Sequence, residues 1–462
     1  MTKEELYALD FKVKTLGECK IPSLLKFSDK KDDSESFNFV SDSDRVLLDG
    51  SNNVLLDYME MQQEPISFEK AGPKQMLYFD HSKTKVAIVT AGGLCPGLNN
   101  VIRGLVMQLY RRYNVTNVVG VKYGLMGFDP QHGFGFEQLN PDIVDRIHLQ
   151  GGSFLSSSRG DPGKEVIVDT LQRENINILF CIGGDGTLRA AQSISNEIER
   201  RGLKIAVGCI PKTIDNDINF IDKSFGFETA FSQASDICTN AHNEAKGAYN
   251  GIALVRLMGR DAGFIVANTT LATGDVNFAL IPELKFDLYG EKGLINQIKK
   301  RLEKRQHALV LVAEGAGQYF FNGEKDFDAS GNVKYSDIGI LLKDAIHDKL
   351  KEEGFNHTIK YIDPSYIIRS APANRNDSKF CNQLAQNAVH AAMAGKTAFV
   401  VGHWNGMFTI LPIMAAIKER KRVRLKGELW WSVLESTGQP QRLLNDDKEE
   451  LEIILPTPEF KD

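Results

Sequence analysis

The chain has 462 residues, 42% of them hydrophobic and 25% charged, which at ~150 residues per domain points to about three globular domains. That length can bury large cores, so disordered, collagen-like and disulfide-stapled classes are excluded. Lys plus Arg total 55 against 60 Asp plus Glu, a formal net charge of -5, which speaks against a protein built to coat nucleic acid or an anionic membrane and leaves room for a local basic pocket.

In chain order, the N-terminus reads MTKEELYALDF, charged rather than apolar, so no secretory leader is expected. Residues 1–84 carry polar runs such as SDKKDDSESFNF with short apolar pieces between them, and read as an arm or small subdomain lying on the body. From Lys85 the texture changes. VAIVT, VTNVVGV, INILFCI, KIAVGCI, GIALVRL, VNFALI, HALVLVAE and TAFVVGH are short, β-branched and apolar. Segments with helical apolar spacing come after them, such as LNNVIRGLVMQLYRR and TLRAAQSISNEIERRG. Apolar strands alternating with helices predict an α/β protein with Rossmann-like parallel sheets covered on both faces. Ligands in such folds bind beyond the carboxyl ends of the strands. GAGQYFFNGEKDFDASGNVKYSD reads as a surface insertion, and the charged stretch ending PTPEFKD as a tail. Six scattered cysteines without CxxC spacing offer no zinc cage. No apolar run approaches the ~20 residues of a membrane helix. A cytoplasmic location is expected.

Four strand-end loops carry chemistry. The first is Ala91-Gly92-Gly93-Leu94-Cys95-Pro96-Gly97. Its paired glycines allow close backbone approach, and the helix start behind them offers unpaired amides suited to phosphate; an ordinary turn is the alternative. The second is Gly183-Gly184-Asp185-Gly186-Thr187. A carboxylate in a glycine concavity repels phosphate unless a metal lies between, which makes Asp185 a natural Mg²⁺ ligand, direct or through water. The competing reading is a helix N-cap. The third is Pro211-Lys212-Thr213-Ile214-Asp215-Asn216-Asp217, whose acids suit general-base work on a hydroxyl, or simple turn chemistry. The fourth, Gly151 to Gly160, adds hydroxyls and Arg159; Met258-Gly259-Arg260 is a further candidate. Arginine spreads phosphoryl charge by forked hydrogen bonding.

In order along the chain, AGGLCPG, GGSFLSSSRG, GGDGT, PKTIDND, LMGRDAG and VAEGAG resemble the phosphofructokinase family, from about Lys85 to Pro440. NAD and diacylglycerol kinases share only the GGDG turn. The resemblance implies phosphorylation of the 1-hydroxyl of fructose 6-phosphate, with Mg²⁺ and ATP as cofactor and donor and ADP as product. It places Gly93, Arg159, Gly160, Gly184, Asp185, Gly186, Thr187 and Lys212 at the donor, with Asp185 linked to magnesium. Asp215 corresponds to the base, flanked by Thr213 and Asp217. Arg159 and Arg260 correspond to cations on the moving phosphoryl group. Met258, Gly259, Glu314, Tyr366 and Arg369 fall where the sugar phosphate is held. Lys360 aligns with a cation usually lent by a neighbouring subunit, which implies a homo-oligomer, a tetramer or a dimer. The resemblance also implies an arm over 1–84, a donor domain over 85–221 plus 366–420, a fructose 6-phosphate domain over 222–365 plus 421–440, and a tail over 441–462.

Two positions depart from the bacterial pattern. Gly251 stands where a second cross-subunit arginine is common, and Lys122 where an aromatic often meets adenine. The family divides by donor, and this chain mixes the signals: Gly186 resembles ATP users and Lys212 pyrophosphate users. An Asp at 186 would obstruct and repel the α-phosphate of ATP, whereas a lysine attracts either donor, so ATP is expected. The mixed pattern and LWWSVLESTGQP resemble trypanosomal and plant ATP-dependent enzymes. A pyrophosphate-dependent enzyme is the alternative. A non-catalytic regulatory subunit would have no reason to keep Asp185, Asp215, Arg260 and Glu314 together.

Overall fold

The computed structural model describes residues 3–29, 37–158, 160–321 and 334–446. All eight apolar runs form strands, and they sort into two sheets. The larger sheet has nine strands in the order Arg45–Leu47, Ser67–Lys70, Met407–Pro412, Phe399–Trp404, Ala206–Pro211, Ile178–Gly183, Lys85–Thr90, Asn117–Val121 and Phe136–Leu139. Its five central strands, from Phe399–Trp404 to Asn117–Val121, run parallel, and every pairing outside them is antiparallel. The register aligns the strand ends. Thr90 lies opposite Ile182 and Gly183 opposite Pro211, so three loops leave the same sheet edge side by side.

Alternation sets the two faces. Val86 and Ile88 join the core beneath the helices Leu98–Tyr113 and Arg375–Met393, while Ala87 and Val89 join the core beneath Lys164–Arg173 and Asp185–Arg200. Each central strand is thereby buried on both faces, which is why it reads as a continuous apolar run. The smaller sheet is wholly parallel, in the order Phe278–Leu280, His307–Ala313, Gly251–Leu257 and Thr358–Ile362. Its core is continuous with that of one face of the larger sheet.

The N-terminal segment differs from expectation. It does not merely lie on the body: Ser67–Lys70 pairs with Met407–Pro412 and extends the large sheet, and Lys14–Thr15 pairs with Lys396–Thr397. An ion cluster locks it there: buried Lys396 Nζ lies 2.6 Å from buried Glu69 Oε1, and Lys74 Nζ lies 2.7 Å from Oδ1 of Asp42 at the surface. Buried charges of this kind are costly to separate because each partner would be left alone in a low-dielectric interior. At the other end, Leu443 is buried and Asn445 holds Asp287; the remainder of the expected tail, and residues 322–333 of the expected insertion, lie outside the described residues. No described helix is long and apolar enough to cross a membrane. All six cysteines are unpaired.

Candidate active site

The three adjacent loops of the large sheet are bolted to one another. Gly92 and Gly97 both take positive φ, 84° and 98°, a region that suits glycine, and Gly97 caps the helix Leu98–Tyr113. Ser157 Oγ donates to Gly92 O at 2.6 Å, and Lys212 Nζ donates to Gly93 O at 2.7 Å. Lys212 therefore reaches across from the third loop to the first. In the second loop Gly184 caps the helix Asp185–Arg200 and no side chain caps it, so Asp185 is not the N-cap. Its carboxylate instead receives a fork from Arg189, Nε–Oδ2 at 3.0 Å and Nη2–Oδ1 at 3.2 Å. A carboxylate and unpaired amides share this helix start, where anions are favoured by the dipole. A Cβ built on Gly186 meets nothing within 4 Å.

The third loop divides its labour. Asn216 performs the turn chemistry, accepting from Ser224 N at 3.0 Å and donating to Asp222 O at 3.1 Å. Thr213 Oγ1 accepts from Asp215 N at 3.0 Å and donates to Asp217 Oδ1 at 3.3 Å. Asp215 is left aimed at the cavity, and its buried Oδ1 has no hydrogen-bond partner among the described residues. Burial, reinforced by Asp217 and Glu314 and opposed by Arg260 and Arg420, pushes its carboxyl up to about 8. Burial also raises Asp217, against the pull of Arg420.

The smaller sheet supplies the opposite wall. Arg260 comes after Gly251–Leu257 with φ 38°, a left-handed conformation that is uncommon for a non-glycine residue. Glu314 comes directly after His307–Ala313; its Oε1 accepts from Arg260 N at 3.3 Å and its Oε2 from Arg256 Nη2 at 3.2 Å. Burial raises the Glu314 carboxyl, with Arg256 working against it. The helix Ser365–Ser370 presents Arg369, whose guanidinium stacks 4.7 Å over the Tyr366 ring.

These walls enclose a cleft of ≈ 530 Å³. Of the residues expected at the site, Gly93, Gly160, Gly184, Asp185, Gly186, Thr187, Lys212, Thr213, Asp215, Asp217, Met258, Arg260, Glu314 and Arg369 line it. Arg159 lies outside the described residues. Three others stand apart from the lining. Gly259 is buried behind Arg260, with Ala262 O 2.6 Å from where a Cβ would be. Tyr366 is 74% exposed. Lys360 is paired with Glu244 on the outer surface.

Several site residues carry no signal in the sequence. Arg420 joins Asp185, Asp217 and Asp261, and lies in the charged run KERKRVR, which reads as solvated surface. Lys421, beside it, donates to Ile221 O at 2.6 Å and to Asp222 O at 3.0 Å, and burial pulls its ammonium down to about 8. Arg256 sits inside a strand, where only the fold turns it toward Glu314 and Asp363. The two departures also find explanations. A Cβ on Gly251 would sit 2.1 Å from Ala245 O, so no side chain fits there. Lys122 pairs with Glu137 at 2.7 Å and lies 4.8 Å over the Phe154 ring.

The described residues contain no cluster of three or more metal-ligating side chains. Asp185, at the helix start on the donor side of the cleft, nevertheless suits Mg²⁺, which keeps waters and takes one or two carboxylates beside substrate phosphates.

Comparison with known proteins is consistent with this geometry. The family model described as Phosphofructokinase matches residues 85–392. The chain is 48% identical to ATP-dependent 6-phosphofructokinase of Borreliella burgdorferi over 95% of this chain and 98% of that protein. It is 44% identical to ATP-dependent 6-phosphofructokinase of Amycolatopsis methanolica over 94% and 96%. Among solved structures, pyrophosphate-dependent phosphofructokinase from Marinobacter aquaeolei superposes with a TM-score of 0.64 at 18% identity, covering 77% of this chain and 91% of the other. At that identity the likeness concerns the fold alone.

Proposed function

This chain belongs to the phosphofructokinase family, and we propose that it transfers the γ-phosphoryl group of ATP to the 1-hydroxyl of fructose 6-phosphate, giving fructose 1,6-bisphosphate and ADP in glycolysis. The observation that carries this reading is the meeting in one cleft of Asp185, Lys212 and Asp215 on the large-sheet wall with Arg260 and Glu314 on the other.

In the proposed reaction Asp215 takes the proton of the 1-hydroxyl as O1 bonds to phosphorus and the bond to the bridging oxygen of ADP breaks. A raised pKa makes Asp215 a stronger base once ionised. Arg260, Lys212 and the amides at the start of Asp185–Arg200 offset charge on the phosphates, and Arg159 is assigned the same task from the resemblance. Thr213 holds the Asp215 amide and the Asp217 carboxylate in register. Met258, Glu314 and Arg369 are assigned to the sugar phosphate. Mg²⁺, held by Asp185 directly or through water, would neutralise phosphate charge. Positioning and electrostatics supply most of the catalysis in such transfers.

The empty space beyond Gly186 supports ATP over pyrophosphate as donor, since it leaves passage for phosphates beyond the first two. Lys212, the pyrophosphate-like residue, is tied to Gly93 O and need not exclude ATP. Lys360 points away from its own cleft, which fits a cation lent to a second subunit and hence a homo-oligomer. The unpaired thiols fit a reducing cytoplasm. The test is a coupled assay with fructose 6-phosphate and Mg²⁺, comparing ATP, pyrophosphate and other nucleoside triphosphates. ATP is expected to give the highest kcat/KM. A rate with pyrophosphate alone would reassign the donor, and no rate with any donor would leave a ligand-binding subunit.

A further inference from the structure

We infer that Arg420 is a further catalytic residue, a guanidinium that contacts the phosphoryl group in flight, with Asp261 as its positioning residue. The inference rests on the reaction proposed above.

Arg420 lies between Asp185, assigned to the donor, and Asp217, the neighbour of the assigned base Asp215. Its Nη2 is 3.6 Å from Asp185 Oδ2, on the donor wall, and its Nε is 3.9 Å from Asp217 Oδ2, beside the base. Both separations exceed hydrogen-bond length. Its one hydrogen bond among the described residues runs from Nη1 to Asp261 Oδ2 at 2.6 Å. Asp261 in turn accepts from the Tyr335 hydroxyl. The guanidinium is therefore gripped at one nitrogen, while the Nε–Nη2 edge faces acids too distant to bond it, in the cleft that Arg420 lines. That edge has the planar fork suited to two oxygens of one phosphoryl group.

The backbone fixes the placement as well. Arg420 pairs with Ile218 in an isolated antiparallel bridge, and Lys421 N donates to Asp217 O at 2.8 Å. Arg189 Nη2 binds Ile417 O at 2.8 Å and anchors the same strap to the Asp185 helix. Val423 N donates to Glu283 Oε1 at 2.9 Å, and Glu283 also receives Gly263 N at 3.0 Å from the loop that carries Arg260. One strap thus joins the donor loop, the base loop and the sugar-side loop, with its arginine at the crossing. A preorganised cation where charge develops contributes to the transition state more than to either ground state.

The experiment is steady-state kinetics of the full-length protein and its Arg420→Ala and Arg420→Lys variants, with binding of ADP, and of ADP plus aluminium fluoride in the presence of fructose 6-phosphate and Mg²⁺, as a mimic of the moving phosphoryl group. Arg420→Ala is expected to lower kcat by ~10²–10³-fold, with the KM for fructose 6-phosphate within about threefold and ADP affinity nearly unchanged. Affinity for the fluoride mimic should fall by roughly the same factor as kcat, since both read transition-state contact. Arg420→Lys keeps the charge without the fork and should lose about tenfold, of order one forked contact; it also serves as the test should the alanine variant fail to fold. A kcat within threefold of wild type, or equal weakening of ADP and the mimic, would reduce Arg420 to a strut and overturn the inference. Wild-type turnover of ATP with fructose 6-phosphate in the same series reports separately on the proposed reaction.

Discussion

The loops after Ile178–Gly183 and Ala206–Pro211 each present a carboxylate to the cleft, and the surroundings of the two differ. Asp185 sits at a helix start, clasped by Arg189 and close to Arg420. Asp215 has no hydrogen bond on its buried Oδ1 among the described residues, and burial together with Asp217 and Glu314 pushes its carboxyl up to about 8. One acid is kept in cationic company, where it can share a metal with phosphates. In the other, burial and the like charges of Asp217 and Glu314 outweigh Arg260 and Arg420, and the carboxylate is made basic. Residue type is common to both, and environment assigns the role, as in other sites where neighbouring carboxyls are pushed apart in pKa.

Four substitutions or titrations can break that contrast, the most severe first. Gly186→Asp puts a further carboxylate into the open space beside Asp185; ATP turnover should vanish while fructose 6-phosphate binding persists, and unchanged ATP kinetics would refute the assignment of that space to the donor. Asp185→Asn should raise the Mg²⁺ concentration needed for half-maximal rate by ~10–100-fold, the usual scale for loss of a supporting metal partner, with sugar KM little altered. An unchanged Mg²⁺ requirement would remove Asp185 from the metal. For Asp215, kcat/KM should climb about tenfold per pH unit on the acid side and level off near pH 8, because this parameter reports the free enzyme's base. A profile flat between pH 6 and 8 would show an ordinary carboxyl.

The smallest effect concerns stability. The folded-state pKa of Asp215, about 8, lies above the ordinary 3.8, so the folded chain keeps a proton that the unfolded chain releases. Its contribution to stability is full below ~pH 4 and is lost as pH rises to ~8. Asp215→Asn abolishes that loss. Its melting temperature should exceed that of wild type at pH 8 and converge with it toward pH 4–5; a difference that stays constant across this window would contradict the raised pKa.

Much of this site is legible in the sequence because parallel strands advertise themselves. Strands buried on both faces must be apolar throughout, so INILFCI and KIAVGCI announce where they end, and GGDGT and PKTIDND stand at those ends. The illegible part depends on pairings far apart in sequence. Arg420 belongs to a charge run with no apolar period, and only its bridge to Ile218 carries it into the cleft. Arg45–Leu47 and Ser67–Lys70 are three and four residues long, too short to show alternation, so an edge of the large sheet reads as an arm. Lys360 and Tyr366 show the converse. Motif order names them, but a single chain leaves them facing outward.

The most direct test of the contrast between the two acids is the steady-state turnover of Asp215→Asn with ATP and fructose 6-phosphate, set beside its KM for the sugar phosphate. A kcat lower by ~10²–10⁴-fold, the range for loss of a general base, with sugar KM within a few-fold of wild type is the predicted result. Near-normal turnover would take the base away from Asp215 and leave the two carboxylates without distinct roles.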